Sequence, residues 1–295
     1  MKKQLSYALG FMVLIFMAVQ TVSSQTINFP RPSPATNVKQ GFATSFVEIN
    51  YSRPSLKGRT IFGNIVPYNQ VWRTGANAAT TIELGQDMSL GGKAIPAGKY
   101  GFLTIPGETE WTVIISKDLN VTSANAYKEE NDVVRISVPV IKLEQPVETF
   151  TIGFSNITDT SMNLYLKWER VKIKVPVVAD YDASLTEQIE KVMATDSRPY
   201  YAAASYYYAN NKDLAQALNW IRIANEQAPN RYWIQTLKAK IEFANNLFAD
   251  AVETARLAAE NAEKAGNMNY ANEMKKLIAE AEKQPGYKAP KKKKR

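Results

Sequence analysis

Residues 52–81, SRPSLKGRTIFGNIVPYNQVWRTGANAATT, carry Arg53, Lys57, Arg59 and Arg73 without one acid; the flanking carboxylates are Glu48 and Glu83. Guanidinium and ammonium groups gathered in this way bind carboxylate or phosphate, and arginine does so bidentately. Trp72, with Tyr68, Tyr100 and Trp111, adds flat faces for sugar rings or cations. Asn77, shortly after Gly75, offers both donor and acceptor on a turn. Arg53, Lys57, Arg59, Trp72, Arg73 and Asn77 are therefore the candidate residues of a basic and aromatic site for an anionic or carbohydrate ligand. The same residues support a structural reading, in which arginines stack on rings as braces while Pro54, Gly58, Gly63, Pro67 and Gly75 shape turns. Both readings stand at this level.

Catalysis has little to draw on. The chain contains neither His nor Cys, which excludes Ser-His-Asp and Cys-His nucleophiles, thiolate and imidazole metal centres, and disulfides. Carboxylates remain. Glu108 and Glu110 lie two apart on a presumed hairpin, with Asp118 and Glu83 as further candidates. A glycoside-cleaving pair needs an enclosed carboxyl with a raised pKa and a second at a set separation, whereas a Pro-Gly turn is ordinarily exposed. A carboxylate-dependent hydrolase or lyase of cell-envelope glycans is thus the alternative to a binding protein, and a structural assembly subunit without a small ligand is the third reading. No acidic spacing matches a calcium loop, so neither a metal nor a cofactor is expected.

The net charge of +8 is carried at the two ends: Lys2 and Lys3 at the start, and Lys288, residues 291–294 and Arg295 at the finish. Residues 25–284 are balanced, so the basic charge is no nucleic-acid footprint. Residues 1–24, with a positive start, an apolar run and a small-residue exit, read as a signal peptide and imply export to the periplasm or beyond. Residues 285–295 read as a disordered basic tail able to touch an anionic membrane surface or polysaccharide.

Two kinds of periodicity must position these groups. From about residue 46 to 178 the pattern alternates with period two, as in Val134, Ile136, Val138 and Val140, and Gly and Pro punctuate it. IPGETEW, residues 105–111, reads as a hairpin connection. Met162, Leu164, Leu166 and Trp168 are apolar at even positions, but Val171, Ile173 and Val175 at odd ones. A bulge or tight turn at Glu169-Arg170 must absorb the extra residue. Eight to ten short strands without interleaved helices imply an antiparallel β-sandwich or barrel over residues 25–180.

After Asp180 the spacing becomes helical. Ser184 and Glu187 form a capping-box pattern, and Asp213 with Gln216 repeats it. Ala217, Ile221 and Ala224 recur thirty-four residues later as Ala251, Ala255 and Ala258, a tetratricopeptide-like repeat over residues 181–284. The second copy departs from the pattern in its first helix, where Gln235, Lys238 and Glu242 stand in for Tyr201, Ala204 and Tyr208. Such helices imply a protein partner, or docking on the sandwich.

RPSPATNV, residues 49–81, AGKYGFLTIPGETEWTVIIS and VETFTIGFS together resemble the domain-of-unknown-function 2911 family of bacterial secreted proteins over residues 29–177. The helical third resembles tetratricopeptide extensions that accompany some members. The family pattern has an acid in its Gly-Ala-Asn-Glu-Ala-Thr step, where this chain has Ala78. If that acid acts in relatives, its role is missing here.

Overall fold

The computed structural model describes residues 30–195 and 198–289. The expected signal peptide and the terminal cations at 291–295 lie outside the described residues. The chain divides into two compact units, Met1–Asp180 and Tyr181–Arg295.

Among the described residues the first unit has ten strands, all paired antiparallel: β1 (Ala35–Phe42), β2 (Ser45–Ser52), β3 (Thr81–Leu84), β4 (Met88–Leu90), β5 (Lys93–Ile95), β6 (Gly98–Ile105), β7 (Glu110–Ser116), β8 (Asp132–Pro139), β9 (Ile141–Ser155) and β10 (Ser161–Val178). They form a six-stranded sheet in the order β1-β2-β3-β6-β7-β8 and a four-stranded sheet in the order β5-β4-β10-β9. Val47, Ile49, Ile82, Phe102 and Val113 of the first sheet share one core with Leu90, Phe150, Ile152, Leu164 and Ile173 of the second. This is a β-sandwich, with alternate residues of each strand turned inward. The Pro106-Gly107 turn joins β6 to β7 as the hairpin expected there.

The parity change in β10 is absorbed at Glu169. The β9–β10 register shifts on both sides of that residue, whose φ is +54°. Met162, Leu164, Leu166 and Trp168 before it, and Ile173, Val175 and Val177 after it, all reach the same core.

The second unit comprises α1 (Asp182–Met193), α2 (Tyr200–Ala209), α3 (Leu214–Gln227), α4 (Tyr232–Ala244), α5 (Phe248–Lys264) and α6 (Met268–Ala281). Asp213 caps α3 by accepting the Gln216 main-chain N–H at 2.9 Å. The start of α1 differs from the sequence expectation: the helix already runs from Asp182, and Ser184 Oγ accepts a bond from Gln188 at 3.2 Å inside it. The cause is tertiary, because Asp182 is held by Tyr206 at 2.5 Å and Lys212 at 2.8 Å. Ala217, Ile221 and Ala224 on α3, and Ala251, Ala255 and Ala258 on α5, are all buried at equivalent places, where small side chains let helices approach closely. Tyr287 packs against Phe248, Val252 and Ala281, so packed structure continues past residue 284. No helix among the described residues is long and apolar enough to cross a membrane.

Candidate functional site

Residues 53–80 lead from β2 to β3, and their arginines bond chiefly to main-chain carbonyl oxygens. Arg53 donates from Nε to Phe150 O at 3.1 Å and from Nη2 to Thr151 Oγ1 at 2.9 Å, tying the loop to β9. Arg59 closes its own turn, donating to Leu56 O at 2.9 Å and Ser55 O at 2.7 Å. Arg73 donates to Asn77 O at 2.9 Å, and Asn77 Nδ2 to Ser33 O at 3.0 Å. Lys57 is exposed, and its main-chain N–H reaches Glu148 Oε1 at 3.0 Å. The structure thus joins Arg73 to Asn77 and leaves Arg53 and Arg59 on separate partners.

Trp72 serves the core. Its ring stacks on Trp168 with centroids 6.0 Å apart at 17°, and meets Phe150, Phe62 and Trp111 at 5.1 to 6.2 Å. Its Nε1 donates to Gly75 O at 3.1 Å. The aromatic residues of the interval therefore hold the loop onto the sandwich, but the stacked-arginine brace expected from the sequence is not formed: among the described residues none of Arg53, Arg59 and Arg73 lies over a ring, and each is held by hydrogen bonds instead. The interval is acid-free in sequence but not in space, since Glu148 and Glu169 both accept its main-chain N–H groups.

A different basic and aromatic surface stands on β10. Before the bulge, Tyr165 and Lys167 face away from the core; after it, Lys172 and Lys174 do. Lys172 Nζ lies 5.0 Å and Lys167 Nζ 5.6 Å from the centroid of Tyr165. Gly153 makes room for that ring: a Cβ there would stand 2.7 Å from the Tyr165 hydroxyl oxygen. Burial, and then the neighbouring Lys174 and Lys167, hold the Lys172 ammonium below its ordinary pKa. Among the described residues no carboxylate forms an ion pair with Lys167, Lys172 or Lys174. Arg53 adjoins this surface, because Thr151, to which it donates, pairs across the strands with Lys167. The signal was present in the sequence as Arg170, Lys172 and Lys174 alternating with Val171, Ile173 and Val175. Only the bulge reveals that Lys167, of opposite parity, belongs to the same face.

The carboxylates considered for catalysis are dispersed. Glu108 and Glu110 are exposed at the β6–β7 turn. Asp118 accepts the Asn120 main-chain N–H at 2.8 Å, a local turn. Glu83 is on β3 opposite Lys99. Among the described residues no three acids come together as a metal cluster. Ala78 lines a shallow cleft of about 340 Å³ with Asn37, Asn50, Tyr51 and Ser52.

Residues 33–177 match the family described as "Protein of unknown function (DUF2911)", a span that begins just before β1 and ends within β10. No curated protein and no solved structure matches the chain.

Proposed function

Starting from a β unit that this match supports as a member of the DUF2911 family, we propose that the chain is an exported, non-catalytic binding protein. Its β unit holds an anionic or acidic carbohydrate ligand, and its tetratricopeptide-like helical unit contacts a protein. The observation that carries the reading is the uncompensated cationic face of β10. Lys167 and Lys172 flank one tyrosine ring, Lys174 follows on the same face, none of the three has a carboxylate partner among the described residues, and burial, then the like-charged neighbours, depresses Lys172. Such crowding is relieved by an anion, and the ring gives a sugar a face to stack on.

Of the six residues first singled out, Arg53 adjoins this face. Arg73 and Asn77 keep unused N–H groups toward solvent and form a smaller second donor pair. Export rests on the sequence of residues 1–24 and is checked by an N-terminus near Gln25 in the mature protein.

The binding test is titration of the full chain with a sulfated oligosaccharide, beside a Lys167→Gln/Lys172→Gln/Lys174→Gln variant. Both proteins are compared with residues 291–295 changed to glutamine, because a polyanion held by this basic end would mask a difference at β10. The variant should bind at least about tenfold more weakly and lose part of the salt dependence. Equal affinity of the two proteins would refute the β10 site.

A further inference from the structure

The substitutions that interrupt the second helical repeat line one cavity. Gln235, Lys238 and Glu242 lie on one face of α4, and with Arg222, Asn225 and Glu226 of α3 and Asp250, Glu253 and Thr254 of α5 they enclose about 570 Å³. Tetratricopeptide-like helices need apolar or small groups at such positions to pack, yet here Gln235 is 1% and Glu242 2% exposed. The polar groups are held in place. Gln235 donates to Pro229 O at 2.6 Å and accepts from Asn261 at 2.9 Å. Lys238 Nζ contacts Glu242 Oε1 at 3.2 Å and Thr254 Oγ1 at 3.2 Å.

The set is incomplete on the acceptor side. Glu242 Oε2 and Asn225 Oδ1 are buried and have no hydrogen-bond partner. An ionised carboxylate removed from water with one oxygen unsatisfied is destabilising, and a donor that reaches it recovers that loss. The lining has the matching charge, because Glu226, Glu242, Asp250 and Glu253 outnumber Arg222 and Lys238. Among the described residues Glu226, Asp250 and Glu253 form no ion pair.

We propose that this cavity receives a cationic side chain, the arginine or lysine of a protein segment, with Glu242 as its receptor. Lys238 already satisfies Oε1, and the incoming guanidinium or ammonium completes Oε2. The exposed Glu226, Asp250 and Glu253 draw the cation to the mouth, and the unpaired Asn225 oxygen accepts a further N–H. Arginine suits the site better than lysine, since its fork supplies several donors to acceptors held apart. This inference rests on the helical unit being protein-binding and does not depend on the β10 surface.

The experiment is calorimetric titration of the full chain with N-acetyl-arginine amide, and with N-acetyl-citrulline amide, which keeps the shape without the charge. Saturable binding of the arginine probe, at least about tenfold tighter than the citrulline probe, is expected. Glu242→Gln should abolish this preference. Because that buried change could unfold the unit, Asp250→Asn/Glu253→Gln at the exposed mouth is the second variant; it should weaken the arginine probe several-fold at an unchanged melting temperature. Equal binding of the two probes, no saturable binding, or a preference that survives Glu242→Gln would overturn the proposal. A peptide array read with the full chain separates the two failures. Binders without basic residues would leave protein recognition standing and remove the cationic receptor, whereas loss of oligosaccharide binding would bear on β10 alone.

Discussion

Glu169, at the bulge of β10, accepts the main-chain N–H of Phe62 at 3.2 Å through the same Oε2 that accepts Ile61 N at 3.1 Å. The extra residue that corrects the strand's parity thus turns a carboxylate onto a loop more than a hundred positions away in sequence. Ile61 and Phe62 are buried, and Phe62 sits among Trp72, Trp111 and Trp168.

Removing that acceptor should loosen the loop. Glu169→Ala leaves two inward N–H groups without their charged partner and should lower unfolding free energy by about 2 to 3 kcal/mol. Glu169→Gln, which keeps a neutral acceptor, should cost about half as much. Chemical denaturation followed by tryptophan fluorescence measures both, and an alanine variant as stable as the wild type would remove the linkage.

The braces make a graded series. Arg53 bonds two groups of β9 while half-buried, so Arg53→Lys should destabilise by about 1 to 2 kcal/mol. Arg59 is exposed and closes only a local turn, so Arg59→Lys should fall within about 0.5 kcal/mol of the wild type. The reverse order of melting temperatures would mean that the Arg53 bonds to β9 do not hold the loop.

Asp182 ties α1 to the rest of the helical unit. The hydrogen bond from Lys212, followed by that from Tyr206, holds its carboxyl below the ordinary value of 3.8. The folded state therefore binds this proton more weakly than the unfolded one. The associated stability is fully present above that ordinary value and disappears as the pH falls below it through the folded value. Asp182→Asn should be less stable than the wild type near neutrality and approach it in acid. A stability gap independent of pH would show that the carboxylate charge plays no part.

Lys172 reports on its neighbours. Its folded pKa is depressed, so folding is disfavoured by this group while it is charged, and the penalty is relieved as the pH rises through the folded value toward the unfolded one. Lys174→Gln should move the Lys172 titration upward, and a bound polyanion should do the same in the wild-type chain. Carbon-detected NMR of the lysine side chains reads both shifts. A Lys172 titration indifferent to Lys174 would mean that the two ammonium groups do not interact.

Local chemistry carried much of this architecture. The two-residue alternation marked residues 46–178 as strand-forming and gave the inward faces of β8 and of both halves of β10, and the register conflict between Trp168 and Val171 required an irregularity where the bulge stands. The capping aspartate of α3 and the small residues of α3 and α5 were equally legible, since a cap or a close helix approach depends on a few neighbouring residues. Family resemblance was legible too, and the family match covers much the same span.

The site was less legible because charge in sequence is not charge in space. Residues 52–81 contain no acid, but folding brings Glu148 and Glu169 to their main chain and spends the guanidinium groups on carbonyl oxygens. Lys167 and Lys172 have opposite parity, and only the bulge turns them to one tyrosine. Gln235, Lys238 and Glu242 read as defects in a repeat until α3 and α5 close around them. Sequence by itself determined periodicity, charge balance and the absence of imidazole and thiol chemistry, because these are properties of residues and their near neighbours. Tertiary structure decided which cations remain free and which carboxylate is left half-satisfied, because desolvation and pairing depend on groups that the chain brings together only when it folds.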